Sequence, residues 1–303
     1  MMYKMRSFQG ERDLLRMSAL AQKCFDNSLH VIDLPYRFSS WAFDDPGNVG
    51  LWEDEAGQLV GCAVVQTPFW KVDFTCQPEQ ESSLFPEMLD WAVQRARFIR
   101  NTAFGRPSWY VSVFADASER TRMLERAGFT CQSHRGEDSW SEVLMRRPGG
   151  EPVELISLAP GFTLRPLAGE QEAAAYVDLH RAVFRSTNMT VEWRRRMLQQ
   201  PTYFRDLDLV VTAPDGRLAA FCIGWWDEPL QAGHIEPLGR HADFWLHVLG
   251  RVVLSECLRR MVEMGARDIY VQTDQQRNAA MRLYEAYGFK VVREVLVYGR
   301  DIP

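Results

Sequence analysis

Two side chains in the last quarter of this 303-residue chain have types and positions suited to moving protons. Glu236 stands in a β-rich run directly before Pro237, and a proline inside a strand predicts a local break there. A carboxylate at this place can accept a proton from a substrate, directly or through water. Tyr284 lies four residues before Gly288 in a pattern that predicts a helix from about Gln275 to Tyr287, and a phenol can give a proton to a leaving group. Each also has a structural interpretation, Glu236 as a strand carboxylate beside an arginine and Tyr284 as a packed helix residue.

The segment between these two residues predicts an anion site. A turn from Asp243 to Gly250 precedes a long helix, and the free backbone N–H groups and dipole at a helix start favour a phosphate. The helix is indicated by apolar residues at helical spacing, namely Leu249, Val253, Cys257 and Met261, and it is expected to end near Gly265. The alternative is a strand-to-helix connection that binds nothing.

Further elements around these residues form a pattern that occurs twice. The run Arg122 to Phe129 matches Arg282 to Phe289 at a constant offset of 160 residues. Two β-rich runs joined at Gly57 match two runs joined at Asp215-Gly216, and both pairs predict hairpins. Each half therefore predicts an opening helix, a hairpin, a further strand, a long helix, a strand, a short helix and a last strand, in three α/β layers.

Composition supports two domains of ordinary globular character. A chain of this length suits two domains of about 150 residues, and 46% hydrophobic content allows a sizeable core. Proline and glycine cluster at 148–152 and again at 159–161, which breaks regular structure. We therefore expect a first domain over 1–150 and a second over 158–303.

Charge and residue spacing exclude several other classes of function. Residues 1–161 carry 17 basic and 22 acidic side chains, residues 162–303 carry 18 of each, and neither balance suits a nucleic-acid partner. The six cysteines lack metal-site or disulfide spacing, and the histidines at 234, 241 and 247 form no metal-ligand pattern. With neither a secretory signal nor an apolar run long enough for a membrane span, we expect a cytoplasmic protein without a membrane partner.

The order of strand, anion-binding turn, long helix, strand and tyrosine-bearing helix resembles the GNAT superfamily of acyl-CoA-dependent N-acyltransferases. The tandem organisation resembles that of the mycothiol synthase type. This resemblance implies an α/β (α+β) fold of two GNAT-like domains, each with a mixed, mostly antiparallel sheet and helices on both faces. It also implies acetyl-CoA as the co-substrate, no metal, and the primary amine of a small molecule as the acceptor.

The resemblance assigns a role to each candidate residue. Glu236 would be the base for the attacking amine, and Tyr284 would protonate the departing thiolate. The strand before the turn would bind the pantetheine amides, the turn would bind the diphosphate, and the start of the tyrosine helix would contact the coenzyme. The coenzyme-binding candidates are Leu238, Gly239, Trp245, Leu246, His247, Val248, Leu249, Gly250, Arg251, Arg277 and Asn278.

The diphosphate turn departs from the family pattern of Arg/Gln-x-x-Gly-x-Gly/Ala. Trp245, Val248 and Gly250 occupy the three defined places, so only the last glycine is kept. A β-branched residue such as Val248 resists a positive φ and places carbon atoms where a phosphate oxygen would approach. The rival interpretation is therefore a catalytically silent GNAT-fold protein that binds a ligand or serves as a scaffold.

The first half lacks the candidate chemistry at the matching positions. Leu124 stands where the second half has Tyr284, and Ala117-Ser118 stands where it has Arg277-Asn278. The turn near residues 80–85 has no glycine and is surrounded by Glu79, Glu81 and Glu87, whose charges would repel a diphosphate. We expect this half to bind no coenzyme and instead to shape the acceptor cleft, to buttress the second domain or to form the surface of a homodimer.

Overall fold

The first half of the computed structural model contains the predicted order of elements. The structure describes residues 3–133, 135, 140–245 and 247–302. The elements of the first half are β1 (Lys4–Ser7), α1 (Glu11–Lys23), α2 (Leu34–Phe38), β2 (Val49–Glu53), β3 (Leu59–Gln66), β4 (Lys71–Cys76), α3 (Glu81–Ile99), β5 (Ser108–Phe114), α4 (Ser118–Arg126), β6 (Thr130–Cys131) and β7 (Ser141–Pro148). The hairpin of β2 and β3 is confirmed, with Gly57 at φ 75° in its turn.

The second half repeats this order. Its elements are β8 (Thr163–Pro166), α5 (Ala173–Phe184), α6 (Val191–Leu198), β9 (Asp208–Thr212), β10 (Leu218–Asp227), β11 (Ala232–Arg240), α7 (Leu249–Glu263), β12 (Asp268–Asp274), α8 (Asn278–Ala286) and β13 (Lys290–Asp301). The tyrosine helix, expected from about residue 275, begins three residues later. The Asp274 carboxylate accepts a hydrogen bond from the Gln276 backbone N–H at 2.7 Å and so holds 275–277 in a turn.

The repeat of 160 residues is confirmed in the backbone. Ala117 and Arg277 precede α4 and α8 with nearly the same φ and ψ, −79° and 62° against −77° and 66°. Both helices end at a glycine with positive φ, 81° at Gly128 and 82° at Gly288, and a phenylalanine follows each. Because glycine alone adopts this conformation without strain, the two short helices stop at equivalent points.

One continuous sheet joins the two halves through an exchange of strands. Within the described residues the order is β1-β2-β3-β4-β5-β13-β7-β12-β11-β10-β9-β8, with β6 pairing to β13. The last strand of the first half, β7, pairs along its length with β12, and the last strand of the chain, β13, pairs with β5. Neighbouring strands of the sheet therefore come from different halves of the chain at three places: β5 beside β13, β13 beside β7, and β7 beside β12.

Helices cover both faces of the second half's sheet, as predicted. Leu209, Val211 and Cys222 pack in one core with residues of α7 and α8, whereas Val210 and Phe221 pack on the opposite face with α5 and α6. This alternation follows from the two-residue period of a strand. The second core also contains Ile32 and Tyr36 of the first half, so the two halves share a hydrophobic core. Among the described helices none has the length and apolar character to cross a membrane.

Candidate active site

A gap opens in the sheet at Glu236. Parallel strands β11 and β12 pair at Ala232, Gly233 and His234, and the pairing ends there. The next residues of β11 remain paired to β10, while β12 continues alongside β7. The peptide bond between Glu236 and Pro237 is cis, and β10 has an irregularity between Cys222 and Gly224 opposite this point. Proline cannot donate to a strand ladder, so its position agrees with the predicted break.

A cavity of about 580 Å³ lies beside this gap, between the two halves. Glu236, His234 and Arg277 line it from the second half, and α5 contributes His180 and Phe184. The first half contributes the ionisable residues His30, Asp33, Arg37, Lys71 and Glu142 and the aromatic residues Tyr36, Phe69, Trp70 and Tyr110. The cavity is therefore built by both halves, and its volume suits a small molecule.

The surroundings of Glu236 raise the pKa of its carboxyl from 4.5 to about 7. Burial is the largest cause because it disfavours the charged form, and the nearby Asp33 carboxylate adds repulsion. Arg37 and Arg277 act in the opposite direction but do not outweigh these effects. Within the described residues no side chain or backbone group hydrogen-bonds to the Glu236 carboxylate. A carboxyl with this pKa can take up and release a proton near neutral pH.

The other carboxylates that line the cavity have hydrogen-bond partners. Glu142 accepts from Lys71 at 2.6 Å and from Gln272 at 2.9 Å. Asp274 accepts from the backbone N–H groups of Ser141 and Gln276. These residues were not predicted from sequence, because the contact between the halves that brings β4, β7 and α2 to Glu236 leaves no local pattern in the chain.

Tyr284 lies in the hydrophobic core behind the gap, with 6% of its surface exposed. Its ring packs against Phe289 with centroids 5.6 Å apart. Burial raises the pKa of the phenol well above its ordinary value, and the charges of Cys222 and Glu236 act in the same direction. The phenol therefore stays protonated at neutral pH, as a proton donor requires, and the charge of Glu236 contributes to its raised pKa.

The predicted diphosphate turn forms a short 3₁₀ turn (Ala242–Phe244) followed by the start of α7. Val248 precedes the helix at φ −78°, so the positive φ that a β-branched residue resists is not required there. The side chains of Trp245 and Val248 are 68% and 49% exposed, and the His247 ring lies 4.6 Å from that of Phe162. Leu246 lies outside the described residues.

The first turn of α7 is open to solvent. Leu249 is buried, Gly250 is half-buried and Arg251 is exposed. A Cβ added at Gly250 would meet nothing closer than the Leu283 Cδ2 atom at 3.9 Å. The first N–H groups of a helix have no partner within the helix, so this end is compatible with the predicted anion site, which stays a prediction.

The remaining coenzyme candidates fall in two places. Leu238 and Gly239 lie on β11 beyond the end of its pairing with β12. They pair with β10, and the edge of β11 that faces β12 is unpaired there. Gly239 packs closely, since an added Cβ would come within 2.6 Å of Val183 and 2.7 Å of Phe221. Arg277 lines the cavity and affects the pKa values of both Glu236 and Tyr284, whereas Asn278 is exposed at the start of α8.

The first half has an equivalent gap with its charges paired internally. Within the described residues, strands β4 and β5 pair only at Lys71 and Tyr110. Asp73 lies two residues beyond this pair on β4, just as Glu236 lies two residues beyond the last paired residue of β11. Arg37 donates to both oxygens of Asp73, at 2.8 and 2.9 Å. At the start of α3, Glu81 accepts two hydrogen bonds from Arg120, at 2.5 and 2.6 Å. This carboxylate, which we expected to repel a diphosphate, is thus neutralised, and the ion pair stands at the helix start instead.

No group of three or more His, Cys, Asp or Glu side chains within the described ranges could hold a metal ion. Five of the cysteines are buried and Cys131 is exposed, all as free thiols.

The chain is similar to known acetyltransferases in sequence and in structure. Residues 174–289 match the family model described as "Acetyltransferase (GNAT) family". A GCN5-related N-acetyltransferase from Sphaerobacter thermophilus superposes with a TM-score of 0.66 at 16% identity, over 99% of this chain and 96% of that one. A tandem GNAT protein from the clavulanic acid biosynthesis pathway gives 0.66 at 10% identity, over 100% and 99%. A GNAT-family acetyltransferase from Colwellia psychrerythraea gives 0.58 at 14% identity, over 98% and 99%.

No curated protein sequence matches the chain. The second half nevertheless has the sequence pattern of the GNAT family, and the whole chain has the tandem GNAT fold.

Proposed function

We propose that this tandem GNAT-fold protein transfers an acetyl group from acetyl-CoA to the primary amine of a small molecule by direct attack. The observation that carries the proposal is the position of Glu236. Its carboxyl lies at the gap between β11 and β12, lines the cavity between the halves and has a pKa of about 7. A base of this strength beside a cavity for a small molecule suits the deprotonation of an amine.

In this mechanism the acceptor binds in the cavity and Glu236 takes the proton from its ammonium group. The amine nitrogen then forms a bond to the acyl carbon, and the bond from that carbon to sulfur breaks. Tyr284 donates its phenolic proton to the departing thiolate, which its raised pKa allows because the phenol is protonated beforehand. The nitrogen then gives up its second proton, which restores the Tyr284 phenol through solvent, and Glu236 releases its proton to bulk water. The net products are the amide, the free thiol and one proton.

The coenzyme would lie along the gap, with its amide groups on the unpaired side of β11 at Leu238 and Gly239. Its diphosphate would lie at the first turn of α7, near Gly250 and Arg251. The space at Gly250 and the exposed guanidinium beside it support this placement.

Calorimetry with acetyl-CoA tests the coenzyme site. Gly250→Glu places a carboxylate at the proposed diphosphate site and should weaken binding at least about tenfold, because like charges repel strongly at close range. Met264→Glu adds the same charge just past the other end of α7 and should leave the affinity unchanged. If the wild-type chain binds no acetyl-CoA even at millimolar concentrations, the proposed enzyme function is wrong.

The alternative is a catalytically silent GNAT-fold protein that binds a ligand or serves as a scaffold. It is favoured by the two exposed apolar residues in the turn, Trp245 and Val248, and by the packing of Tyr284 within the core. Thiol release from acetyl-CoA across a panel of amines separates the two proposals, because a silent protein binds without turnover.

A further inference from the structure

Asp33 of the first half has an oxygen atom with no partner, and this residue lines the same cavity as Glu236. The residue is 2% exposed. It immediately precedes α2, but its side chain does not cap that helix. Instead Oδ2 lies 2.7 Å from His30 Nδ1, which orients the carboxylate, while Oδ1 is buried without a hydrogen bond.

The cationic residues of the first half that line the cavity are committed to other carboxylates. Arg37 donates to both oxygens of Asp73, and Lys71 donates to Glu142. Burial would raise the pKa of Asp33, yet the charges of His30, His234 and Arg37 outweigh it and hold the pKa well below its ordinary value. Asp33 is therefore ionised, and buried charged oxygens in proteins almost always have a hydrogen-bond donor.

Two acidic side chains that line the cavity are available to a ligand: Asp33, whose buried Oδ1 has no hydrogen-bond partner, and Glu236, whose carboxylate accepts no hydrogen bond from the described residues. Aromatic side chains line the cavity as well, and Tyr36, Phe69 and Trp193 among them pack together. A ligand that satisfies both carboxylates has two cationic hydrogen-bond donors joined by an apolar body.

We infer that the acceptor is a diamine, whose reacting amine lies at Glu236 and whose second ammonium group donates to Asp33 Oδ1. This inference rests on the proposed acyltransferase function. Asp33 would be a specificity-determining residue supplied by the half of the chain that lacks the other candidate catalytic groups.

Steady-state kinetics with unbranched α,ω-diaminoalkanes of increasing chain length test the inference, each measured beside the monoamine of equal carbon number. The wild-type protein should prefer diamines, with one optimal length set by the separation of the two carboxylates. Asp33→Asn removes the charge and should raise the KM for the best diamine roughly ten- to a hundredfold, the usual effect of losing a hydrogen bond to a charged group. The KM for the monoamine should change little, and any change in kcat should be common to both substrates, because loss of the Asp33 charge also lowers the pKa of Glu236.

Asp90→Asn is the matched control, because it removes an exposed carboxylate from α3 of the same half. Equal activity of the wild-type protein on diamines and monoamines would overturn the inference without any variant. It would also be overturned if Asp33→Asn raised the KM for the diamine and for the monoamine equally, since that result indicates a structural role.

Calorimetric titration of the best-matched diamine into the protein without coenzyme separates this inference from the proposed function. Binding that weakens in Asp33→Asn, together with no thiol release from any amine, supports the diamine site and refutes the acyltransferase. Thiol release from monoamines with no measurable binding of diamines supports the acyltransferase and refutes the diamine site.

Discussion

Replacement of Glu236 by glutamine should remove a specific step from the pH dependence of acyl transfer. The pKa of about 7 means that half of the wild-type protein has the base ionised at that pH, and only about a tenth one pH unit lower. The rate should therefore fall about tenfold per pH unit on the acidic side. Glu236→Gln cannot accept the proton, so the rate on the alkaline plateau should fall roughly 10²- to 10⁴-fold.

The assay is thiol release under saturating acetyl-CoA, followed across the pH range for both proteins with the same amine. The amine titrates as well, but its contribution is common to both profiles, and the difference between the profiles therefore isolates Glu236. Glu285→Gln on the exposed side of α8 serves as a control for the substitution itself. A Glu236→Gln protein that keeps the inflection near 7, with a plateau within a few-fold of wild type, would refute the assignment of the base.

Three further outcomes are expected. Tyr284→Phe keeps the packing against Phe289 and should lower kcat while acetyl-CoA affinity stays the same; an unchanged kcat would remove the phenol from the mechanism. Burial lowers the pKa of His180 from 6.5 to about 4, so protonation favours the unfolded chain and stability is lost as the pH falls through this window. His180→Phe should therefore reduce the loss of unfolding free energy between neutral pH and pH 4 by roughly 3 kcal/mol, as measured by urea titration at both pH values. Residues 158–303 expressed alone lack β7, which leaves β12 without its antiparallel partner, and circular dichroism should show no cooperative unfolding.

The repeated elements could be predicted from sequence because their signals are local. Glycines that end α4 and α8, the hairpin turns and the helical spacing in α7 act within a few residues of chain. The gap at Glu236 also has a local signal, because Pro237 interrupts the strand whichever strands lie beside it. The helical pattern predicts the start of α8 three residues too early, because the Asp274 side chain, rather than that pattern, decides where the helix begins.

Long-range contacts account for what the sequence did not reveal. The exchange of β7 and β13 depends on pairings across more than a hundred residues, and their alternating patterns fit either half equally well. Likewise, Asp33 has no neighbouring motif in the chain. It lines the same cavity as Glu236 because α2, which directly follows it, packs on the second half through Tyr36 and Trp193.

The comparison of the two gaps explains why one carboxylate can act as a base and its counterpart cannot. Asp73 and Glu236 occupy equivalent positions, yet Arg37 binds both oxygens of Asp73 and helps hold its pKa below the ordinary value despite burial. That pairing also keeps Arg37 engaged with Asp73, so it offsets the burial of Glu236 only in part. The first half thus has no free carboxylate at Asp73. It supplies Asp33, which directly precedes α2 and whose charge raises the pKa of Glu236. A substitution at Arg37 should therefore alter both gaps at once, which ties the first half to the chemistry of the second.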